Sequence, residues 1–519
     1  MRRRPRKGIK KTSYLKVAMI LLPFLLGGLY VWGAIYMIDD VTSSFLTKQY
    51  DSGTFITVNY AKLADWADKI EYRFEKWHMP ANIALSVTFT DNNHNVSSYY
   101  HPTDNVALST GFALATECFR YRAAVNENNT ALKANATRCI ERLLTGFSML
   151  LAVPNGGIGP EYPGSISRFY WAPDNAALPG YATITNWMLD ENEVRHFNGT
   201  GIYSNYRWRG YTSKDEMAGY LFGLGAVIQH CQNETDIWNL AGLLVAQIVE
   251  GFIDTNWLVI NGDGYPCGSD MKSLLGLTGG EWILSLLRIA KSAYPDGRYD
   301  QLYHYFASKD MYMNSVARAD ALNLIMDYYA WNFEHKTLFN LITLEDDPNL
   351  KNFYLNQYIN GIYNRMKYTR SPYFNMMYLV FTGENNTEIE ADVFDQLMRF
   401  ENNIYCRNDN ATVRTNLTLN PKIEYYRDFV ANNPIGMLYS PLISLEIGAL
   451  QPDGKDFYSQ PATVDMMYTN TGNFYERSPF EEISNPIHPN NNGLREGPGN
   501  TYTCVYWMGR AYGIIPKPP

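Results

Sequence analysis

Between Tyr60 and Ile514 the chain alternates two kinds of helical stretch, and this alternation limits its possible folds more than any single motif. One kind is amphipathic: "YAKLADWADKIEYRFEKWH" (60–78), "ALKANATRCIERLLTGFSMLL" (131–151), "ETDIWNLAGLLVAQIVEGFI" (234–253), "NLKNFYLNQYINGIYNRMK" (349–367) and "EADVFDQLMRFENNIY" (390–405). Each has an apolar stripe and a wet face, the mark of an outer helix. The other kind is apolar nearly all round: "DNVALSTGFALATECF" (104–119), "DEMAGYLFGLGAVIQH" (215–230), "DMKSLLGLTGGEWILSLLRIA" (270–290), "NSVARADALNLIMDYYAW" (314–331), "SPYFNMMYLVFTG" (371–383) and "NTYTCVYWMGRAYGI" (500–514). A helix without a polar face must be surrounded by protein. Gly219 and Gly223, four residues apart, let a neighbouring helix approach closely. With "DGRYDQLYHYFASK" (296–309) in the fourth outer place, six outer and six inner helices alternate. The expected fold class is therefore all-α, an (α/α)6 toroid of six helical hairpins. An irregular bundle or solenoid with the same alternation is the alternative.

No Pro/Gly/Ser linker interrupts the chain after Thr42, so one large domain is expected. What precedes it is different. Eight Lys or Arg residues lie ahead of an uncharged stretch from Val17 to Ile38, which ends at Asp39 and Asp40. That stretch is long enough to span a bilayer as a helix, and the cationic flank places the N-terminus in the cytoplasm. A cleaved signal peptide is the rival, although its apolar region is ordinarily about 7–15 residues. The expected organisation is a basic tail (1–16), a single transmembrane signal anchor (17–38), a stem (39–58) and a luminal or extracellular domain (59–519), as in a type II membrane protein. A long polar insertion, 406–499, separates the last outer and last inner helices.

Eight N-x-S/T sequons, beginning at Asn95, Asn128, Asn135, Asn198, Asn233, Asn385, Asn410 and Asn416, fit a glycosylated luminal domain. The six cysteines are even in number, and Cys118 with Cys139, Cys231 with Cys267 and Cys406 with Cys504 is one possible disulfide pairing. No His or Cys recurs at ligand spacing, so neither a metal nor a cofactor is expected. The net charge of −8 excludes nucleic acid as a partner, because binding it needs basic stripes. Aromatic residues make up 14% of the chain, which suits a cleft lined with ring faces as well as a core.

"HPTDNVALSTGFALATECFRYRAA", followed by "IERLLTGFSMLLAVPNGGI" and "WRGYTSKDEMAGYLFGL", resembles the six-hairpin glycosidase-like superfamily. Similar segments there open the first and second inner helices. The resemblance covers residues 60 to 515 at the level of architecture and only 100–155 and 205–230 at the level of motifs. It implies a carbohydrate substrate but leaves the chemistry open among glycoside hydrolases, unsaturated uronyl hydrolases, polysaccharide lyases and sugar epimerases.

In such a toroid the inner helices run one way and their N-termini share a rim. The residues opening them here are Asp104, Asp215, Asp270, Asn314, Ser371–Pro372 and Asn500, the last just after Arg495–Glu496. Carboxylates around one mouth suit glycoside hydrolysis, which needs a general acid together with a nucleophile or base. Helix capping accounts for any one of them equally well. In "TSKDE", Ser213 and Glu216 have capping-box spacing, which leaves Asp215 free to face the mouth. The expected acid/base residues are Asp215, Asp104 and Glu496. The expected substrate-binding residues are Arg207, Trp208, Arg209, Tyr211, His101 and Asp270, where Arg–Trp–Arg would stack on a sugar and His101 would carry a proton. Tyr475, Glu476 and Arg477 are further candidate contacts in the insertion. Tyr211, His101 and Arg209 keep a uronate lyase or epimerase open, and a glycan-binding or assembly domain without turnover is the third possibility.

Overall fold

The computed structural model describes residues 11–101, 105–171, 194–272, 279–294, 297–317, 328–402, 418–446, 450–451, 454, 456–466, 478–481 and 493–518. A long helix, α1 (Lys11–Phe45), comes first. The hairpins follow, each an outer helix and then an inner one. They are α2 (Tyr60–Arg73) with α3 (Val106–Asn126), α4 (Thr130–Asn155) with α5 (Lys214–His230), and α6 (Thr235–Asp254) with α7 (Gly280–Ala293). Next, α8 (Arg298–Ala307) and the single turn α9 (Asp310–Met313) lead to α10 (Tyr328–Thr343). The fifth outer helix, α11 (Pro348–Tyr358), runs through a wide turn into α12 (Asn364–Met366) and precedes α13 (Pro372–Thr382). After α14 (Thr387–Met398) the insertion supplies α15 (Pro421–Asn432) and α16 (Pro434–Glu446) before the last inner helix, α17 (Asn500–Ala511).

Local chemistry sets several of these ends. The side chains of Asn59, Asn129 and Asn386 accept the backbone N–H of Lys62, Leu132 and Ile389, capping three outer helices. Gly156, at φ 85°, ends α4 in the left-handed region that other residues avoid.

The inner helices touch in cyclic order: α3 on α5, α5 on α7 and α10, α7 on α10, α10 on α13, α13 on α17, and α17 back on α3. The outer helices pack around them, α4 between α3 and α6, for example. The α3–α5 approach needs glycine. A Cβ on Gly111 would stand 1.9 Å from the Gly219 carbonyl oxygen, and one on Gly219 would stand 2.4 Å from the Leu108 Cα. Rings fill the middle: Phe222 lies 6.1 Å from Phe112, 6.0 Å from Phe119 and 5.3 Å from Phe339, and Phe112 lies 5.5 Å from Tyr373. The cycle is therefore plugged, and any cleft must lie at one of its ends.

The all-α expectation needs amending, because eight short strands occur among the described residues. β1 (Ser86–Phe89) pairs with β2 (Ser97–His101) and with β8 (Arg495–Glu496). β5 (Arg207–Arg209) pairs with β3 (Phe169–Trp171) and β4 (His196–Asn198), and β6 (Leu258–Ile260) with β7 (Pro266–Asp270). All lie in connections that lead into inner helices, so they decorate the end where those helices begin.

Two helix starts also differ from expectation. The stretch read as helical from Asp270 begins only at Gly280, because Gly279, at φ 96°, starts it there. Asp270 ends β7 opposite Leu258, and Asn314 ends the turn of α9, so neither opens an inner helix. Nor are the first two thiol pairings formed: Cys118, Cys139, Cys231 and Cys267 are free, and the Cys118 sulfur faces Cys231, on the adjoining helix, at 3.9 Å. Cys406 lies outside the described residues. The helix Thr235–Asp254 is long and apolar enough to cross a membrane by composition, yet 61% of that window is buried, as befits a core helix.

Candidate active site

The mouth is best built from α5. Ser213 was expected to cap this helix together with Glu216, but it makes no side-chain cap bond. Its hydroxyl instead donates to the Asp215 carboxylate. Glu216 points inward, fully buried, and its Oε2 accepts the Leu108 N–H at the start of α3 at 3.1 Å. The capping box fails because tertiary packing offers Glu216 the free N–H groups of another helix. The Asn105 amide, with its nitrogen turned inward, joins the two acids, donating to Asp215 Oδ2 at 3.1 Å and to Glu216 Oε1 at 3.3 Å. Burial, then the neighbouring Asp215, holds Glu216 well above the usual carboxylate range.

A second acidic pair lies on α7 and α10. Glu281 in the first turn of α7 and Glu334 on α10 are both buried, and each carboxyl acts on the protonation of the other. Burial raises both, Glu281 to about 7, and the Glu281 charge adds to the rise at Glu334. Lys214 is the link: its charge acts on both glutamates, and its ammonium lies over the Trp282 ring at 6.0 Å. At the start of α17 the Asn500 amide, 2% exposed, finds no hydrogen-bond partner among the described residues. Neither glutamate was anticipated. The signal was a carboxylate at the head of an apolar run in "TGGEWILSLL" and one beside His335 and Lys336 in "WNFEHKTLFN".

Other expected residues are spent elsewhere. Glu496 is buried on β8, where it accepts from Arg73 at 2.5 and 2.8 Å and meets His78 at 3.2 Å. That makes it the centre of a structural ion pair. Trp208 is buried, bonds the Asn198 carbonyl at 3.1 Å and packs on Phe197. Arg209 is buried against His196 at 3.0 Å, and Arg207 lies over the Trp171 ring. Neither Trp208 nor Arg209 is open to a sugar: on the central strand of a three-stranded sheet they point to opposite faces, and both are buried. Tyr211 sits at φ 58°, pinned by Asn261 and Arg168, with Arg195 beside its ring. His101 bonds the Thr88 hydroxyl at 2.6 Å, and burial and then Arg495 push it down to about 3, so it is no proton carrier near pH 7. Asp104 lies outside the described residues, as do Tyr475, Glu476 and Arg477.

A cavity of about 730 Å³ lies elsewhere, lined among others by Lys48, Tyr50, Arg370, Arg399 and Gln460. None of the acidic residues above lines it. Its cations are already engaged: Lys48 by Glu388, Arg370 by Asp392 and Asp395, Arg399 by Asp395. Among the described residues no group of three or more His, Cys, Asp or Glu side chains converges as a metal site.

Glu281 gives this site a pH signature. Its folded value of about 7 stands above the ordinary 4.5, so between those values the folded chain binds more protons than the unfolded one. The contribution to stability is complete below about pH 4.5 and is lost as pH rises toward 7, at up to about 1.4 kcal/mol per pH unit. Glu281→Gln is expected to flatten that fall in melting temperatures taken from pH 4.5 to 7.5. An unchanged slope would rule Glu281 out as the titrating group.

No protein-family model matches the chain, and no curated protein matches it. Among solved structures it is similar to the cellulase Cel9M of C. cellulolyticium in complex with cellobiose. That likeness has 10% identity and a TM-score of 0.36, over 88% of this chain and 99% of the other. At that level the functional reading rests on the residues alone.

Proposed function

We propose that the chain is a glycan-processing enzyme, a glycoside hydrolase built on an (α/α)6 toroid, with its acid/base residues at the end where the inner helices begin. The observation that carries this reading is a pair of acidic sites on three successive inner helices, Asp215 with Glu216 joined by Asn105, and Glu281 with Glu334 under the charge of Lys214, the residue before Asp215. Glycosidic cleavage needs one carboxyl that gives a proton and one that takes it or attacks, held in unlike environments. Here the environments are unlike. Asp215 is partly exposed and accepts two hydrogen bonds, whereas the deeper acids are raised by burial. Asp215 is assigned the base or nucleophile role. Glu281, titrating near neutrality, and Asp104 are the candidates for the acid.

The cyclic order of the inner helices is what a toroid requires. The N-terminal segment is proposed as a membrane anchor with the domain on the luminal or extracellular side. The exposure of Leu22, Leu25, Leu26, Leu29, Trp32 and Ile35 supports this, as does that of the sequon residues Asn95, Asn128, Asn198, Asn233 and Asn385.

The test is product analysis on a panel of oligosaccharides with the full chain in detergent. Hydrolysis is expected to release new reducing ends. An unsaturated product absorbing in the ultraviolet would replace this reading with a lyase, and glycan binding without any product would replace it with a binding domain.

A further inference from the structure

The insertion before α17 supplies two helices, α15 and α16, and both lie against α1. Tyr30 of α1 stacks on Tyr439 of α16, with ring centroids 4.8 Å apart and planes 10° apart. Its hydroxyl donates to the Leu438 carbonyl at 2.6 Å. Gly33 makes the fit possible: a Cβ there would stand 2.2 Å from the Tyr439 hydroxyl. Closer to the domain, Asp40 accepts from Lys422 at 2.7 Å and from Tyr426 at 3.0 Å, both on α15.

The outer surface of this assembly is apolar. Leu25, Leu29 and Trp32 of α1 are exposed, and so are Ile435 (63%), Met437 (52%) and Leu438 (65%) of α16. The two sets form one patch, since Leu438 is fastened to Tyr30 in the middle of the exposed stretch of α1. Water-facing surfaces rarely leave contiguous apolar patches beyond a few hundred Å². Tyr30 precedes Asp40 by ten residues, about 15 Å along a helix that rises 1.5 Å per residue. That is half of a hydrocarbon core about 30 Å thick. Whatever covers α1 at Tyr30 therefore also covers Leu438. The charged residues of α15 stay on the polar side, Lys422 paired with Asp40 and Arg427 with Asp456.

We propose that α16 is a second membrane contact, dipping into the outer leaflet beside the anchor with Ile435, Met437 and Leu438 among the lipid chains. The inference rests on the anchor reading above and goes beyond it. The domain is then held to the bilayer at two places and cannot swing freely on a stem. The Tyr30–Leu438 hydrogen bond is of the kind that fastens helices to one another in lipid.

The experiment uses the full chain reconstituted in phosphatidylcholine vesicles. Leu26→Cys, Leu438→Cys, Ile435→Cys and Asp263→Cys each receive an environment-sensitive fluorophore, and the unsubstituted chain serves as the labelling blank. Labels at 26, 435 and 438 are expected to shift to the blue and to be quenched by spin-labelled lipid severalfold more than the label at 263. Quenching at 26 with water-like emission at 435 and 438 would overturn the α16 contact and leave the anchor standing. Water-like emission at all four positions would overturn both. A blue shift at 435 and 438 without lipid quenching would show protein, such as a second copy, in place of lipid, and would also overturn the proposal.

Discussion

Replacing Asp215 by Asn is expected to lower kcat by about 10²–10⁴-fold while leaving the fold and glycan affinity nearly intact. Asparagine has the same shape and keeps an oxygen that can accept from Ser213, so the first turn of α5 should survive. What it cannot do is take up a proton or attack. Steady-state kinetics on the panel's best substrate, with calorimetric binding to the same glycan, separates the two effects. Glu496→Gln is the contrasting variant. It neutralises the carboxylate that holds the half-buried Arg73 guanidinium; breaking a fully buried pair costs about 3–5 kcal/mol, and a smaller loss is expected here. Its expected effect is a lower melting temperature with kcat of the folded enzyme unchanged. An Asp215→Asn enzyme that turns over like the parent would sink the site assignment.

Gly219→Val should be among the most damaging single changes to stability. Its Cβ would stand 2.4 Å from the Leu108 Cα and 2.6 Å from the Ala107 carbonyl, both backbone atoms that cannot rotate away. Overpacking of this kind typically costs about 1–3 kcal/mol, occasionally more, and here α3 and α5 have to separate to relieve it. At about 2–4 °C per kcal/mol, a fall of several degrees in melting temperature follows. Gly242→Ala on α6 is the control: its nearest contact would be an ordinary 3.4 Å, so the helix should gain about 0.5–1 kcal/mol from the lost glycine. Thermal melts by circular dichroism read both signs. Equal destabilisation by the two variants would mean that the close crossing does not matter.

The inner helices α3 and α5 were legible because a stretch without a polar face has few places to go, and the Gly219 and Gly223 spacing announced the close crossing before it was seen. The strands were not legible. They run two to five residues, and their pairing, Val87 with Glu496 for example, depends on residues hundreds of positions apart. The site was half legible for the same reason. Asp215 and Glu216 were singled out, but local rules gave Glu216 to the helix cap, and only tertiary packing assigns it to the start of α3. Residues judged by type misled: Trp208 and Arg209 look like a sugar platform in the sequence and are buried on a sheet that the sequence did not reveal.

The aromatic plug formed by Phe112, Phe119, Phe222, Phe339 and Tyr373 has one more consequence. On the proposed toroid it leaves a cup instead of a tunnel. A long polymer cannot be threaded through and released on the far side, so whatever meets Asp215 must enter and leave by the same opening. Either it offers an end or it lies across the lip.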